Sequence, residues 1–178
     1  MLRDDPALKP QYRMPRVFGA LPGPRNVPSD KQQLSNNQRN LVMSVTALTD
    51  PVLLSEILPL ACTLDGEPLM TVTLNFMRNI GWRAGHGYAM LSVNLRIKHY
   101  SPSKGWLTGN FIPVLWENLA DPILTGREEL GWSKLYADLP DPLVLGDCHT
   151  GKALWRDFRF LDIQRSTGPS NRQLTSRR

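Results

Sequence analysis

Hydrophobic residues alternate with mostly polar ones along two stretches in the middle of the chain. The first stretch covers residues 69–77 and the second covers residues 88–98. Their apolar positions are Met70, Val72, Leu74 and Phe76, followed by Ala89, Leu91, Val93, Leu95 and Ile97. Because successive side chains of a strand point to opposite faces of a sheet, this period of two predicts two half-buried strands.

Shorter segments of the same kind predict further strands, separated by Gly and Pro turns. They lie at residues 111–116, 132–137, 143–145 and 153–163. Pro113 marks a sheet edge or a bulge, because proline has no N–H to donate. One short helix is predicted between Asp50, whose side chain can cap it, and Pro59. Its mainly apolar face is formed by Val52, Leu53, Glu56, Ile57 and Leu60. The pattern therefore predicts a mainly β (α+β) fold, with an antiparallel sheet that closes toward a barrel or sandwich.

The two ends of the chain differ from this central part in composition and charge. Residues 1–40 predict an extended N-terminal arm, residues 41–163 the β domain, and residues 164–178 a polar basic tail. The formal net charge of the 178 residues is +5, but the stretch 41–155 holds 8 basic and 11 acidic residues. Because the central stretch is mildly acidic, we expect no nucleic-acid partner for the folded part. A nucleic-acid-binding function would have to use the basic ends.

The remaining composition predicts a soluble cytoplasmic protein without a metal centre. The chain has two cysteines, Cys62 and Cys148, with no paired motif, and no segment resembles a secretory signal or a membrane span. The three histidines are far apart in sequence and lack metal-ligand spacing. We therefore expect no metal site.

The segment 117–142 is the one with distinctive chemistry. It contains the charged cluster Gly126-Arg127-Glu128, followed by Trp132 and Lys134. Extended geometry would place Trp132 and Lys134 on the same face of a strand. A lysine among apolar side chains is a candidate nucleophile, because desolvation disfavours its charged form. The alternative is a surface lysine whose stem covers Trp132 while its amine reaches water.

These residues resemble the lysine motif of the acetoacetate decarboxylase family, in which a G-R-E sequence precedes a Schiff-base lysine. Three other segments resemble family members more loosely, namely residues 14–25, 49–59 and 155–161. The resemblance implies a cone-like β-barrel, Lys134 as the nucleophile toward a small β-keto acid, and no cofactor. It also implies that Arg127, Glu128 and Trp132 shape the surroundings of the lysine or bind substrate, and that the protein forms a homo-oligomer without membrane contact.

The sequence departs from the family pattern at several positions. Leu135 follows the lysine where the best-known decarboxylases have a second lysine, and their active-site glutamates fall near Asn75 and Met90. The family barrel also implies more strands than this chain offers after Ile163, so we expect an incomplete barrel. Two functions follow from the resemblance: a Schiff-base-forming lyase of the acetoacetate decarboxylase type, or a non-catalytic small-molecule-binding barrel that has lost its acid/base carboxylates.

Overall fold

The computed structural model describes residues 37–83 and 85–166. In chain order the elements are β1 (Arg39–Leu48), α1 (Pro51–Ile57), β2 (Cys62–Leu64), β3 (Leu69–Arg78), a 3-10 helix (Gly81–Arg83), β4 (Tyr88–Ser101), β5 (Gly105–Phe111), β6 (Leu115–Glu117), α2 (Ala120–Leu130), β7 (Lys134–Tyr136), β8 (Leu143–Leu145), β9 (Cys148–Trp155) and β10 (Phe158–Ser166). The predicted mainly β fold class with short helices is confirmed.

The strands form two sheets. The larger one has seven strands in the order β1-β3-β4-β6-β7, with β2 and β5 also paired to the long strand β4. Its pairs are antiparallel except for β6 and β7, which run parallel. The smaller sheet is antiparallel and has the order β10-β9-β8. Within the described ranges the larger sheet is open, with β1 and β7 at its two ends.

One face of the larger sheet packs against the smaller sheet to form the core. The buried cluster consists of Met43, Leu74, Phe76, Ala89, Leu91, Ala137, Leu139, Ala153 and Ile163. Gly151 allows the two sheets to approach closely, because a Cβ at this position would lie 2.7 Å from Cδ1 of Leu74. The core residues on β3 and β4 alternate along each strand as predicted. The residues between them therefore project from the opposite face of the sheet.

Two predicted strands are each two strands in the structure. Residues 111–116 divide between β5 and β6, with Pro113 in the break. Residues 153–163 divide between β9 and β10 at a tight turn, where Arg156 has a φ of 53°. A proline without an N–H and a residue in the left-handed region each end a ladder that hydrophobic alternation alone would continue.

Helix α1 has the predicted start but not the predicted buried face. Asp50 accepts a hydrogen bond from the backbone N–H of Val52 at 2.8 Å, and Pro51 is the first helical residue, so the predicted cap is confirmed. Leu54 is the buried side chain of the helix, whereas Val52, Leu53, Ile57 and Leu60 of the predicted apolar face are exposed.

The described residues extend slightly beyond the predicted central domain. Strand β1 begins at Arg39, inside the predicted arm 1–40, and β10 ends at Ser166, inside the predicted tail 164–178. The rest of the arm, including the segment 14–25 used in the family resemblance, and the rest of the tail lie outside the described residues.

Candidate functional site

Lys134 and Glu117 meet because β6 and β7 lie side by side. In their parallel ladder Leu115 pairs with Lys134 and Glu117 pairs with Tyr136, so the lysine and the glutamate project from the same face of the sheet. The lysine Nζ donates a hydrogen bond to Glu117 Oε1 at 2.8 Å. The glutamate side chain is 1% exposed and the lysine side chain 12%. The site is therefore a buried amine–carboxyl pair, not a surface lysine.

Helix α2 covers this pair. The lysine Nζ donates a second hydrogen bond, of 3.0 Å, to the backbone carbonyl of Pro122 in the first turn of the helix. One turn further on, Gly126 faces the lysine so closely that a Cβ there would collide with the Cδ and Cε atoms and lie 2.7 Å from Nζ. The glycine of the G-R-E sequence thus makes room for the lysine side chain beneath the helix.

The other predicted site residues hold the lysine through its backbone or lie at the surface. Arg127 donates a hydrogen bond from Nη1 to the carbonyl oxygen of Lys134 at 2.8 Å. The carbonyl oxygen of Trp132 accepts from the N–H of Lys134 at 2.9 Å, while its indole is 42% exposed. Glu128 is exposed on α2. The carboxyl group bound to the lysine amine is that of Glu117, and neither Arg127 nor Glu128 contributes a side-chain contact to it.

Glu117 was missed by the sequence analysis. The predicted strand ended one residue earlier, at Trp116, and α2 was not predicted, because Pro122 and Gly126 weaken any helical pattern. The available signal was the position of Glu117 two residues after Leu115, since both then share one face of a strand. An acidic residue on the same face as a buried leucine is a candidate for burial with a partner.

The pKa values of Glu117 and of the nearby Tyr88 are both raised. Burial raises the pKa of the Glu117 carboxyl above its usual value, against the hydrogen bond and the charge of Lys134, which lower it. Burial, followed by the nearby charge of Glu117, raises the pKa of Tyr88 to about 12, although Arg83 opposes this rise. The carboxyl of Glu117 therefore holds a proton more strongly than an ordinary glutamate, and the Tyr88 phenol stays protonated at neutral pH.

The raised pKa predicts how Glu117→Gln should change the pH dependence of stability. The folded protein binds the Glu117 proton more tightly than the unfolded chain does, so this proton stabilises the fold. The stabilisation is complete below the unfolded pKa of 4.5 and is lost as the pH rises through the higher pKa of the folded state. We expect the free energy of unfolding of the wild type, relative to the Gln variant, to fall as the pH rises above 4.5. The total fall should be about 1.4 kcal/mol for each unit by which the folded pKa exceeds the unfolded one. Urea unfolding from pH 4.5 to 8 measures it, and a relative gain of the wild type over this range would contradict the prediction.

Two neutral residues lie beside Glu117 in the sheet. Asn75 pairs with Met90, and Met90 pairs with Glu117, so the three side chains form one row across β3, β4 and β6. These are the positions near which the family resemblance placed active-site glutamates. The row therefore still has a carboxyl group, supplied by the neighbouring strand β6 at Glu117.

An ion pair joins the start of α2 to the 3-10 helix. Arg83 Nη1 donates to Asp121 Oδ2 at 2.7 Å, and the arginine side chain is 14% exposed. Asn118 adds a second connection, because its side-chain oxygen accepts from the N–H of Ala89 at 2.8 Å. These contacts fix the helix over the Lys134–Glu117 pair.

The described ranges hold neither a metal-binding cluster nor a helix that could span a membrane. No group of three or more His, Cys, Asp or Glu residues there could hold a metal ion. None of the helices in this part of the chain is long and apolar enough to cross a membrane.

The fold and the site define a mainly β protein with a lysine–carboxyl pair buried under a short helix. The sequence model of the family described as acetoacetate decarboxylase matches residues 22–176. The chain therefore belongs to the acetoacetate decarboxylase family, as the G-R-E resemblance indicated.

Solved structures show the same fold. The chain is similar to the acetoacetate decarboxylase from Legionella pneumophila, with a TM-score of 0.62 and 22% identity over 73% of this chain and 48% of that one. A second structure, from structural studies of acetoacetate decarboxylase, has a TM-score of 0.62 and 17% identity over 74% of this chain and 49% of that one. The chain spans about half the length of these two structures. No curated protein matches it in sequence.

Proposed function

We propose that this protein is a Schiff-base-forming lyase that acts on a β-keto acid or a related small keto compound, with Lys134 as the nucleophile. The observation that carries the proposal is the hydrogen bond between the buried lysine amine and the buried Glu117 carboxyl, 2.8 Å long. A nucleophilic lysine needs a neighbouring group that accepts its proton, and Glu117 is placed to do so. Membership of the acetoacetate decarboxylase family supports the same class of chemistry.

The reaction begins at the lysine nitrogen. The neutral amine adds to the ketone carbon, and loss of water leaves a protonated imine between Lys134 and the substrate. The bond between the α-carbon and the carboxylate then breaks. Its electron pair moves into the imine to give an enamine, and carbon dioxide leaves. Protonation of the enamine carbon and hydrolysis of the imine release the ketone product and the free lysine.

Glu117 fits the proton transfers in this sequence. The Glu117 carboxylate, with its raised pKa, takes the proton of the lysine ammonium before attack and returns it to the carbinolamine hydroxyl, which leaves as water. After carbon dioxide leaves, a proton from solvent, relayed by Glu117, protonates the enamine carbon. The Tyr88 phenol, whose pKa is raised to about 12, remains a hydrogen-bond donor throughout. The Glu117 carboxyl would thus perform the acid/base work for which Asn75 and Met90 have no suitable group.

Reductive trapping tests the proposal directly. Sodium borohydride added in the presence of a β-keto acid or β-diketone should reduce the imine and leave a stable adduct, which peptide mass spectrometry should locate at Lys134. Lys134→Ala should abolish this adduct. Lys104→Ala, which removes an exposed lysine from the turn between β4 and β5, should label like the wild type. An adduct spread over surface lysines, or none at all, would contradict the proposal.

The second candidate function is a non-catalytic small-molecule-binding protein. The neutral side chains at Asn75 and Met90, in the same row as Glu117, favour it. This function predicts that a keto compound binds without turnover and that calorimetric binding survives Lys134→Ala. Release of carbon dioxide by the wild type but not by this variant would exclude it.

A further inference from the structure

Glu117 lies between Lys134 on one side and Tyr88 on the other. It pairs with Met90 of β4 and with Tyr136 of β7, so these three residues form one row across the sheet. Lys134 comes two residues before Tyr136, and Tyr88 two residues before Met90. Because β7 runs parallel to β6 and β4 antiparallel to it, the lysine and the tyrosine flank this row on opposite sides. Side chains two residues apart share a face, so both project from the face that carries Glu117.

The backbone holds Tyr88 next to Glu117. The residue after each of them makes the connection, since the N–H of Asn118 donates to the carbonyl oxygen of Ala89 at 3.3 Å and the N–H of Ala89 donates to Asn118 Oδ1 at 2.8 Å. Diagonal neighbours on two antiparallel strands are about 7–8 Å apart, which is within reach of aromatic and long side chains. The charge of Glu117 accordingly acts on the Tyr88 phenol. The phenol is therefore a direct neighbour of the carboxyl group.

One oxygen of this carboxyl group is available to a ligand. Oε1 accepts from the lysine Nζ at 2.8 Å, whereas the buried Oε2 has no hydrogen-bond partner among the described residues. A buried acceptor without a donor is unfavourable, so a group that brings an O–H to Oε2 stabilises the site.

The carbinolamine formed by attack of the lysine supplies such a group. Its central carbon carries both the lysine nitrogen and a hydroxyl. Two donors held side by side can bond both oxygens of a carboxylate, as a guanidinium does in a forked pair. With the nitrogen at Oε1, the hydroxyl meets Oε2. The oxygen that began as the substrate ketone then lies away from the lysine side of the row, toward Tyr88.

The Tyr88 hydroxyl is available to donate to this oxygen. Burial and the charge of Glu117 raise the pKa of Tyr88 to about 12, so the phenol keeps its proton at neutral pH. Within residues 37–83 and 85–166, no side chain accepts a hydrogen bond from it. Tyr136 differs in this respect, because its hydroxyl donates to Asp138 Oδ1 at 2.6 Å.

We infer that Tyr88 is a catalytic residue whose hydroxyl donates a hydrogen bond to the ketone oxygen of the substrate while Lys134 attacks the carbonyl carbon. As the N–C bond forms, the π electron pair of the carbonyl moves onto this oxygen, and the phenol stabilises the developing negative charge without giving up its own proton. Protons that Glu117 takes from the lysine nitrogen pass to the same oxygen, which leaves as water. This inference rests on the proposed Schiff-base function of Lys134 and adds the group that activates the ketone.

Two reactions of the same lysine test the inference. Imine formation needs an activated carbonyl group, whereas addition of the lysine amine to acrylonitrile involves no carbonyl group. Acetoacetate followed by borohydride at successive times measures the first rate, acrylonitrile labelling measures the second, and peptide mass spectrometry locates both adducts at Lys134. Tyr88→Phe should slow imine formation about 100-fold, the cost of removing one donor from a developing oxyanion, and leave acrylonitrile addition within about twofold of the wild type.

Tyr136→Phe is the matched control. It removes the same hydroxyl group from the residue paired with Glu117 on the other neighbouring strand, where that hydroxyl is bonded to Asp138. Both rates should match the wild type in this variant.

The outcomes separate the role of Tyr88 from that of Lys134. Imine formation at the wild-type rate in Tyr88→Phe, or an equal loss in Tyr136→Phe, would overturn the inference and leave the Schiff-base function intact. Equal slowing of both reactions in Tyr88→Phe would also overturn it, because the tyrosine would then act on the lysine and not on the ketone. No borohydride adduct at Lys134 of the wild type would overturn the Schiff-base function and the inference with it.

Discussion

Lys134→Met should lower the free energy of unfolding by about 3–5 kcal/mol at neutral pH, because it leaves the buried Glu117 without its partner. The Glu117 side chain is 1% exposed, and its Oε1 is bonded to the lysine. Without the ammonium, the two interactions that lower the carboxyl pKa disappear, so the pKa should rise further. The destabilisation should therefore diminish as the pH falls and the carboxyl becomes protonated. Urea unfolding at several pH values measures both effects.

The double variant Lys134→Met/Glu117→Leu is the matched control. It replaces both partners with apolar side chains, and such replacements of buried pairs are often neutral or stabilising. We expect its stability to lie within about 1 kcal/mol of the wild type, while borohydride labelling is abolished. This separates the chemical role of the lysine from its structural one. A single Lys134→Met variant as stable as the wild type would show that the pair is not buried as described.

Gly126→Ala should reduce the rate of adduct formation at Lys134 by about 100-fold, the scale expected when a reacting group is misplaced by roughly 1 Å. The new Cβ would collide with Cδ and Cε of the lysine, so the side chain would have to move away from Glu117. The helix itself should tolerate the change, since alanine is favoured over glycine in a helix interior by about 0.5–1 kcal/mol. Because a lysine displaced from Glu117 leaves that buried carboxyl unpaired, the variant should also lose stability, by no more than Lys134→Met does.

Gly109→Ala provides the control for this substitution. Gly109 lies on β5, and a Cβ there would have no atom within 4 Å. Its labelling rate should match the wild type. If the Gly126→Ala variant were labelled at the wild-type rate, the glycine would not set the position of the lysine.

The candidate site could be predicted from the sequence only in part. The G-R-E sequence and Lys134 are neighbours along the chain, so their spacing could be compared with a family pattern. In the structure Gly126 leaves space for the lysine side chain, and Arg127 donates a hydrogen bond to the lysine carbonyl oxygen. Glu117 could not be assigned in this way, because it lies 17 residues before its partner. Its role depends on a parallel pairing of two three-residue strands that no local pattern specifies.

The strands and helices, too, could be predicted from the sequence only in part. Alternation along β3 and β4 predicted which residues share a face, because the side-chain period of a strand is a local property. The breaks at Pro113 and Arg156 were not placed correctly, since a hydrophobic period can continue across the end of a ladder. The buried faces of helices are harder still. The residues predicted to share an apolar face of the helix are exposed, because burial depends on what lies next to a helix.

By itself, the amino-acid order determined the mainly β class, the two long strands, the cap of α1 and the candidacy of Lys134, because each depends on residues a few positions apart. Tertiary structure decided that Lys134 is buried, that Glu117 is its partner, and that Gly126 of α2 makes room for its side chain. These features depend on strand register and on the packing of α2, which bring distant residues together. Such pairings are set by the summed packing of the whole domain and not by the local sequence.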